Sequence, residues 1–158
     1  MSLAKYGKRV VNKLPYIHLT RTTVQAITTG GLTKPIEFNA IVDDDNNESE
    51  GLNTSSAGVR VKRGGIYTIS GFACYEGTMA VGTRNIAIVV NGLPNIIQLL
   101  NHYDENVSIT LPISLTTRLE KNDKVTLETF QSTGSDLNID PTITGCLVFL
   151  VVSALSVD

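Results

Sequence analysis

Tryptophan is absent from the 158 residues, aromatic side chains make up only 6% of them, and cysteine and histidine occur twice each. Each scarcity closes off a class of chemistry. Two cysteines, Cys74 and Cys146, are too few for a disulfide framework and have no Cys-x-x-Cys spacing. They read as buried thiols, with a single bridge as the alternative. The two histidines, His18 and His102, have no metal-ligand spacing between them, and His18 sits in an alternating segment where a surface or interface imidazole is expected. The longest apolar run, 146–152, falls well short of the roughly 20 residues a membrane-spanning helix needs. No Gly-x-Ser-x-Gly elbow, phosphate loop or dinucleotide fingerprint occurs. Catalytic and cofactor-binding roles therefore have no recognisable motif to carry them, and no cofactor is expected. Residues 1–15 also lack a secretory apolar block, so a soluble protein made in a host cytoplasm is expected.

What the chain does have is β-forming and turn-forming chemistry. Ser, Thr and Asn number 11, 18 and 12. Branched Thr packs well on a pleated surface, and Ser and Asn favour turns. In 107–115 apolar residues alternate strictly with small polar ones, which predicts a strand with one face in a core. Pro112 falls on the polar side of that alternation and predicts an edge or a bulge. Similar patterns predict strands near 16–27, 35–42, 58–62, 66–75, 84–91, 95–101, 107–118, 124–130 and 143–154. Gly64-Gly65, Asn91-Gly92, Asn122-Asp123 and the run 132–135 supply the tight turns between them. Many short strands with such turns predict one all-β domain, a sandwich or barrel. A basic N-terminal arm (1–15) precedes the domain (16–158).

The last strand breaks the alternation, because both of its faces are apolar over 146–152. At roughly 1.5–3 kcal/mol per large side chain withdrawn from water, one uncovered face would be costly. The expectation is that Val148, Leu150 and Val152 face outward and are covered by other copies of the chain. Cover by a loop or by the N-terminal arm is the alternative.

These residues resemble the trimeric jelly-roll family of tumour necrosis factor and complement globular heads, especially its phage virion members. The likeness lies in Gly64-Gly65-Ile66-Tyr67-Thr68-Ile69-Ser70, in the strand 84–90 with its Asn91-Gly92 turn, in the segment from Leu119 to Val125, and in Ile143-Thr144-Gly145-Cys146-Leu147. It extends over about 16–154. The resemblance implies an antiparallel jelly roll of about eight to ten strands, a homotrimer with the last strand near its axis, and no catalytic activity. One departure is Asn122-Asp123 where the family usually has Gly-Asp; Asn also tolerates a left-handed turn.

The remaining candidate features concern binding. Net charge is −2, but residues 1–15 carry +4 and the rest −6, which argues against a nucleic-acid binder. Asp43, Asp44, Asp45, Glu48 and Glu50 crowd one stretch, which fails the EF-hand pattern and reads as a solvated loop, with an irregular cation site or a basic partner as alternatives. Sequons at Asn47, Asn53 and Asn106 match chance frequency. Glu120 and Asp123 flank a turn and read as local hydrogen-bonding groups. In the arm, Lys5, Lys8, Arg9, Val10, Val11, Lys13 and Leu14 form a basic, partly apolar segment suited to anchoring on an acidic protein surface; its apolar face is too small for a membrane. Together with the resemblance, this suggests a non-enzymatic phage virion protein. It would be a homotrimer that decorates or cements the capsid by binding the major capsid protein or another virion protein. The rival reading is a receptor-binding head of a tail or fibre that recognises a host glycan or protein, with Tyr75 and Tyr103 as its aromatic platforms.

Overall fold

The alternating segments pair as antiparallel strands in the computed structural model, which describes residues 14–30, 33–44, 49–50, 57–77, 81–102 and 107–158. In chain order the strands begin with β1 (Tyr16–Thr20), β2 (Gln25–Ile27), β3 (Lys34–Pro35), β4 (Ala40–Asp44), β5 (Ser49–Glu50) and β6 (Gly58–Arg60). They continue with β7 (Gly65–Tyr75), β8 (Gly82–Val90), β9 (Leu93–His102), β10 (Ile109–Leu119), β11 (Lys124–Gln131), β12 (Leu137–Ile139) and β13 (Phe149–Val157). One sheet runs β2-β12-β7-β13-β1-β4, with β10 on the other side of β7. The second runs β5-β6-β11-β8-β9, with β3 also on β11. Two facing antiparallel sheets with these crossovers form a jelly-roll sandwich.

One contiguous core fills the space between the sheets. Ladder pairing sets which residues enter it. Leu19 lies opposite Leu150, which lies opposite Gly71, which lies opposite Ile113. In the next inward row Ile17, Val152, Ile69 and Leu115 are aligned in the same way. Gly71 leaves room for the opposite sheet: a Cβ there would lie 2.6 Å from Leu127 Cδ1. The turn residues also act as their chemistry predicts. Asn91 and Asn122 adopt φ of 52° and 76°, and the Asp123 carboxylate accepts the Glu120 N–H at 2.8 Å and the Asn91 side-chain amide at 2.8 Å.

Several expectations need correction. The single strand expected over 16–27 is two, because 21–24 leaves the ladder, and 35–42 likewise divides into β3 and β4. The last strand starts at Phe149 rather than 143, since 141–145 is turn, and the short strands β5 and β12 were not foreseen. Cys74 and Cys146 are bonded to each other with Cα atoms 5.6 Å apart, so the single bridge holds and the paired free thiols do not. It ties the loop before β13 to the end of β7.

The correction with the largest consequence concerns β13. Val148, Leu150 and Val152 are all buried inside one subunit, at 1%, 0% and 1% exposure. Pairing with β1 sets the parity: Leu150 and Val152 stand opposite Leu19 and Ile17, both core residues. The outward positions of this strand are Phe149, Val151 and Ser153. These three, and not the three named from sequence, face away from the core.

Candidate assembly surface

Four strands, β10, β7, β13 and β1, present a continuous outer face whose side chains align in rows across the ladders. The first row is Pro112, Phe72, Phe149 and Thr20; the second Ser114, Ser70, Val151 and His18; the third Thr116, Thr68, Ser153 and Tyr16. In a chain that is 18% charged, none of these twelve positions carries Asp, Glu, Lys or Arg. A solvated sheet face normally carries some, so the pattern marks a face suited to a dry contact.

Four of its hydroxyls bond one another in pairs within the sheet. The Thr68 and Thr116 hydroxyls lie 3.1 Å apart and those of Ser70 and Ser114 3.2 Å apart. Because Ser114 donates to the Ile69 carbonyl at 3.2 Å, Ser70 can donate to Ser114 in turn. Hydroxyls bonded in this way lose little when water is removed. At the end of the face distant from the chain termini the surface is aromatic. Phe149 stacks on Phe72 with ring centroids 5.6 Å apart and planes 5° from parallel. With Pro112 these rings border a shallow groove of about 280 Å³ floored by Gly71 and Ile113.

His18 is the one titratable imidazole on this surface. Its ring meets Phe149 edge-on at 5.6 Å, and its backbone partner on β4 is Asp43. Burial pushes the imidazole below its ordinary value of 6.5, and the Asp43 carboxylate offsets part of that effect. The sequence reading of His18 as an interface-type imidazole thus has a location on the molecule.

A second apolar surface lies on β9, an edge strand that pairs only with β8 among the described residues. Leu93, Ile97 and Leu99 are 71%, 54% and 52% exposed. Sequence reasoning did not single them out, yet a signal existed. The doublets Ile96-Ile97 and Leu99-Leu100 put an apolar residue on each face of one strand, as 146–152 does.

Other sequence candidates are distributed elsewhere. Tyr75 is fully buried and cannot be an exposed sugar platform. Its hydroxyl lies 2.9 Å from the Asn85 carbonyl and 3.0 Å from the Phe130 carbonyl and also bonds the Thr129 hydroxyl. Burial pushes its pKa up to about 12. Leu14 is exposed just before β1, whereas Lys5, Lys8, Arg9, Val10, Val11 and Lys13 lie outside the described residues. So do Tyr103, the three sequon asparagines and, within the acidic stretch, Asp45 and Glu48, whereas Asp43 and Asp44 end β4 and Glu50 lies in β5. Among the described residues no group of three or more His, Cys, Asp or Glu side chains could hold a metal ion.

No protein-family model matches the chain, and neither does any curated protein. Solved structures do match. The globular domain of zebrafish complement 1qA protein superposes with a TM-score of 0.56 at 16% identity, over 91% of this chain and 99% of that one. The Eiger tumour necrosis factor of S. frugiperda gives 0.63 at 11% identity, over 92% and 95%. Murine APRIL at pH 5.0 gives 0.62 at 14%, over 90% and 100%. With nine-tenths or more of each chain covered in both directions, this chain has the jelly-roll fold shared by tumour necrosis factor and the complement globular heads.

Proposed function

We propose that the protein is a homotrimeric, non-enzymatic virion module that decorates or cements a capsid through its basic N-terminal arm. The observation that carries the assembly is the block of three uncharged rows on the outer face of β10, β7, β13 and β1, bounded at the C-terminal end of β10 by Arg118. An uncharged block on the face and an apolar edge that differ in shape suit a head-to-tail contact, which closes into a ring when repeated by rotation. In this arrangement the β9 edge of each copy, with Leu93, Ile97 and Leu99, lies on the face of its neighbour around Val151 and Phe149.

The anchoring role is supported by where the arm joins the domain. Residues 1–15 carry +4 and lead into the Tyr16 end of β1, the same end at which β13 finishes. Three arms would therefore leave from one pole, and their combined hold on an acidic shell would exceed that of one arm through effective concentration. The virion setting rests on the sequence likeness to phage members of this fold. The rival receptor-binding reading loses one of its two aromatic platforms with the burial of Tyr75.

Light scattering on the eluting protein tests the assembly: the expected mass is three times the 17.0 kDa chain. Val151→Asp, in the middle of the face, is expected to yield folded monomers, because it would bury an uncompensated carboxylate. A wild-type monomer at micromolar concentration would sink the proposal. Deleting residues 1–13 is expected to preserve the trimer and abolish co-sedimentation with shells; unchanged retention would refute the anchoring role.

A further inference from the structure

Where the chain leaves β1, an open cleft of about 550 Å³ lies between the segments 21–26 and 34–37. That volume falls within the range of small-ligand sites. The walls are clamped by their own polar groups. Arg21 donates to the Val24 carbonyl at 2.7 Å and to the Glu37 carbonyl. The Gln25 side chain donates to the Pro35 carbonyl at 3.0 Å and accepts the Glu37 N–H at 2.9 Å. Lys34 donates to the Thr28 hydroxyl at the rim. The cleft is therefore already formed and need not be ordered by a ligand, which lowers the cost of binding.

Its electrostatics oppose those of the domain around it. Residues 16–158 carry −6, yet this cleft is lined by two cations, Arg21 and Lys34, against one carboxylate, Glu37. Among the described residues neither cation forms an ion pair. Arg21 is only 8% exposed, and its guanidinium charge is met by neutral carbonyls. Burial pulls its pKa down, and the Glu37 charge only partly offsets this. A buried cation without a paired anion leaves an electrostatic gain available to an acidic ligand. Val24 and Pro35 add apolar surface of the kind that packs against a sugar ring, and the Glu37 carboxylate can accept hydrogen bonds from ring hydroxyls.

We propose that this cleft binds an acidic saccharide unit, with the anionic group directed to Lys34 and Arg21, ring hydroxyls to Glu37 and the ring face against Val24 and Pro35. The cleft begins beyond the Thr20 end of β1, at the pole opposite the N-terminal arm. A module anchored by its arm would hold this site outward, towards whatever surface the particle meets. The inference does not depend on the oligomeric state.

Saturation-transfer NMR on the full chain tests it with glucuronate, glucose 6-phosphate, glucose and inorganic phosphate as separate probes. Glucuronate or glucose 6-phosphate should receive saturation at the ring protons and glucose should not; which of the two acids binds more tightly identifies the group as carboxylate or phosphate. Lys34→Glu should abolish the effect, and Lys34→Ala should weaken binding at least tenfold, both without moving the melting temperature. Glu37→Gln should strengthen anion binding while weakening discrimination between sugars. No saturation of either acidic sugar, or saturation unaffected by Lys34→Glu, would overturn the assignment. Equal displacement of both acids by inorganic phosphate at similar concentration would mark the cleft as holding an adventitious ion only.

Discussion

At the scale of single residues, the clearest functional consequence belongs to His18. Its imidazole lies on the uncharged face against Phe149, and burial holds its pKa below 6.5. A group whose folded value is depressed in this way takes up protons more readily when unfolded, so proton uptake opposes the fold. Above pH 6.5 both states are neutral there and no penalty exists; as pH falls below 6.5 towards the lower folded value, stability is lost. In urea titrations at pH 7.5 and 5.0, the wild type should lose more stability than His18→Gln over the same interval. Equal losses would show that His18 contributes nothing to the pH response. The glycines offer a complementary contrast. Gly71→Ala would press a methyl into Leu127, and overpacking of this kind costs about 1–3 kcal/mol. Gly134→Ala meets nothing within 4 Å and pays only for its φ of 84°, about 1–2 kcal/mol. Denaturation midpoints should rank Gly71→Ala as no better tolerated, and only Gly71→Ala should lose stability that Leu127→Val restores.

At the scale of elements, the disulfide and the parity of β13 decide how the sandwich closes. The Cys74–Cys146 bond spans 72 residues of sequence and fixes the loop that delivers the chain into its last strand. Closing a loop of that length removes enough disorder from the unfolded chain to stabilise the fold by roughly 2–4 kcal/mol. Cys74→Ala with Cys146→Ala should therefore lower stability by about that amount in chemical denaturation, as should reductant on the wild type. A loss under 0.5 kcal/mol in both would contradict a structural role. The same element shows how one step of register changes a functional reading. With Leu150 facing Leu19, the outer positions become Phe149 and Val151, and these join Phe72 and Pro112 rather than forming a greasy strip of their own. Both faces of 146–152 were legible as apolar from the sequence. Which face turned inward was not, because a period of two is satisfied equally by either parity until a neighbouring strand sets it.

At the scale of the whole molecule, the candidate surfaces lie apart. An uncharged sheet face, an apolar edge at β9, an arm pole and a cleft at the opposite pole occupy separate regions. Under the proposed role, separation of this kind would let the module assemble, anchor and bind without the surfaces competing. Substitutions at the cleft are accordingly expected to leave mass and shell retention unchanged, while Val151→Asp should leave sugar binding per chain unchanged. Scattering mass and ligand NMR on the same two variants would reveal any cross-talk.

The sequence by itself determined the strand-rich fold, the turn positions and the absence of a motif for catalysis. These follow from local chemistry, in which alternation, β-branching and residues tolerant of positive φ act over a few neighbours. Only the tertiary structure decided that Val148, Leu150 and Val152 belong to the core, that Tyr75 is buried, that Cys74 meets Cys146, and that Arg21 and Lys34 line one cleft. Those facts depend on pairings between segments far apart in the chain, and a local pattern is compatible with more than one such pairing.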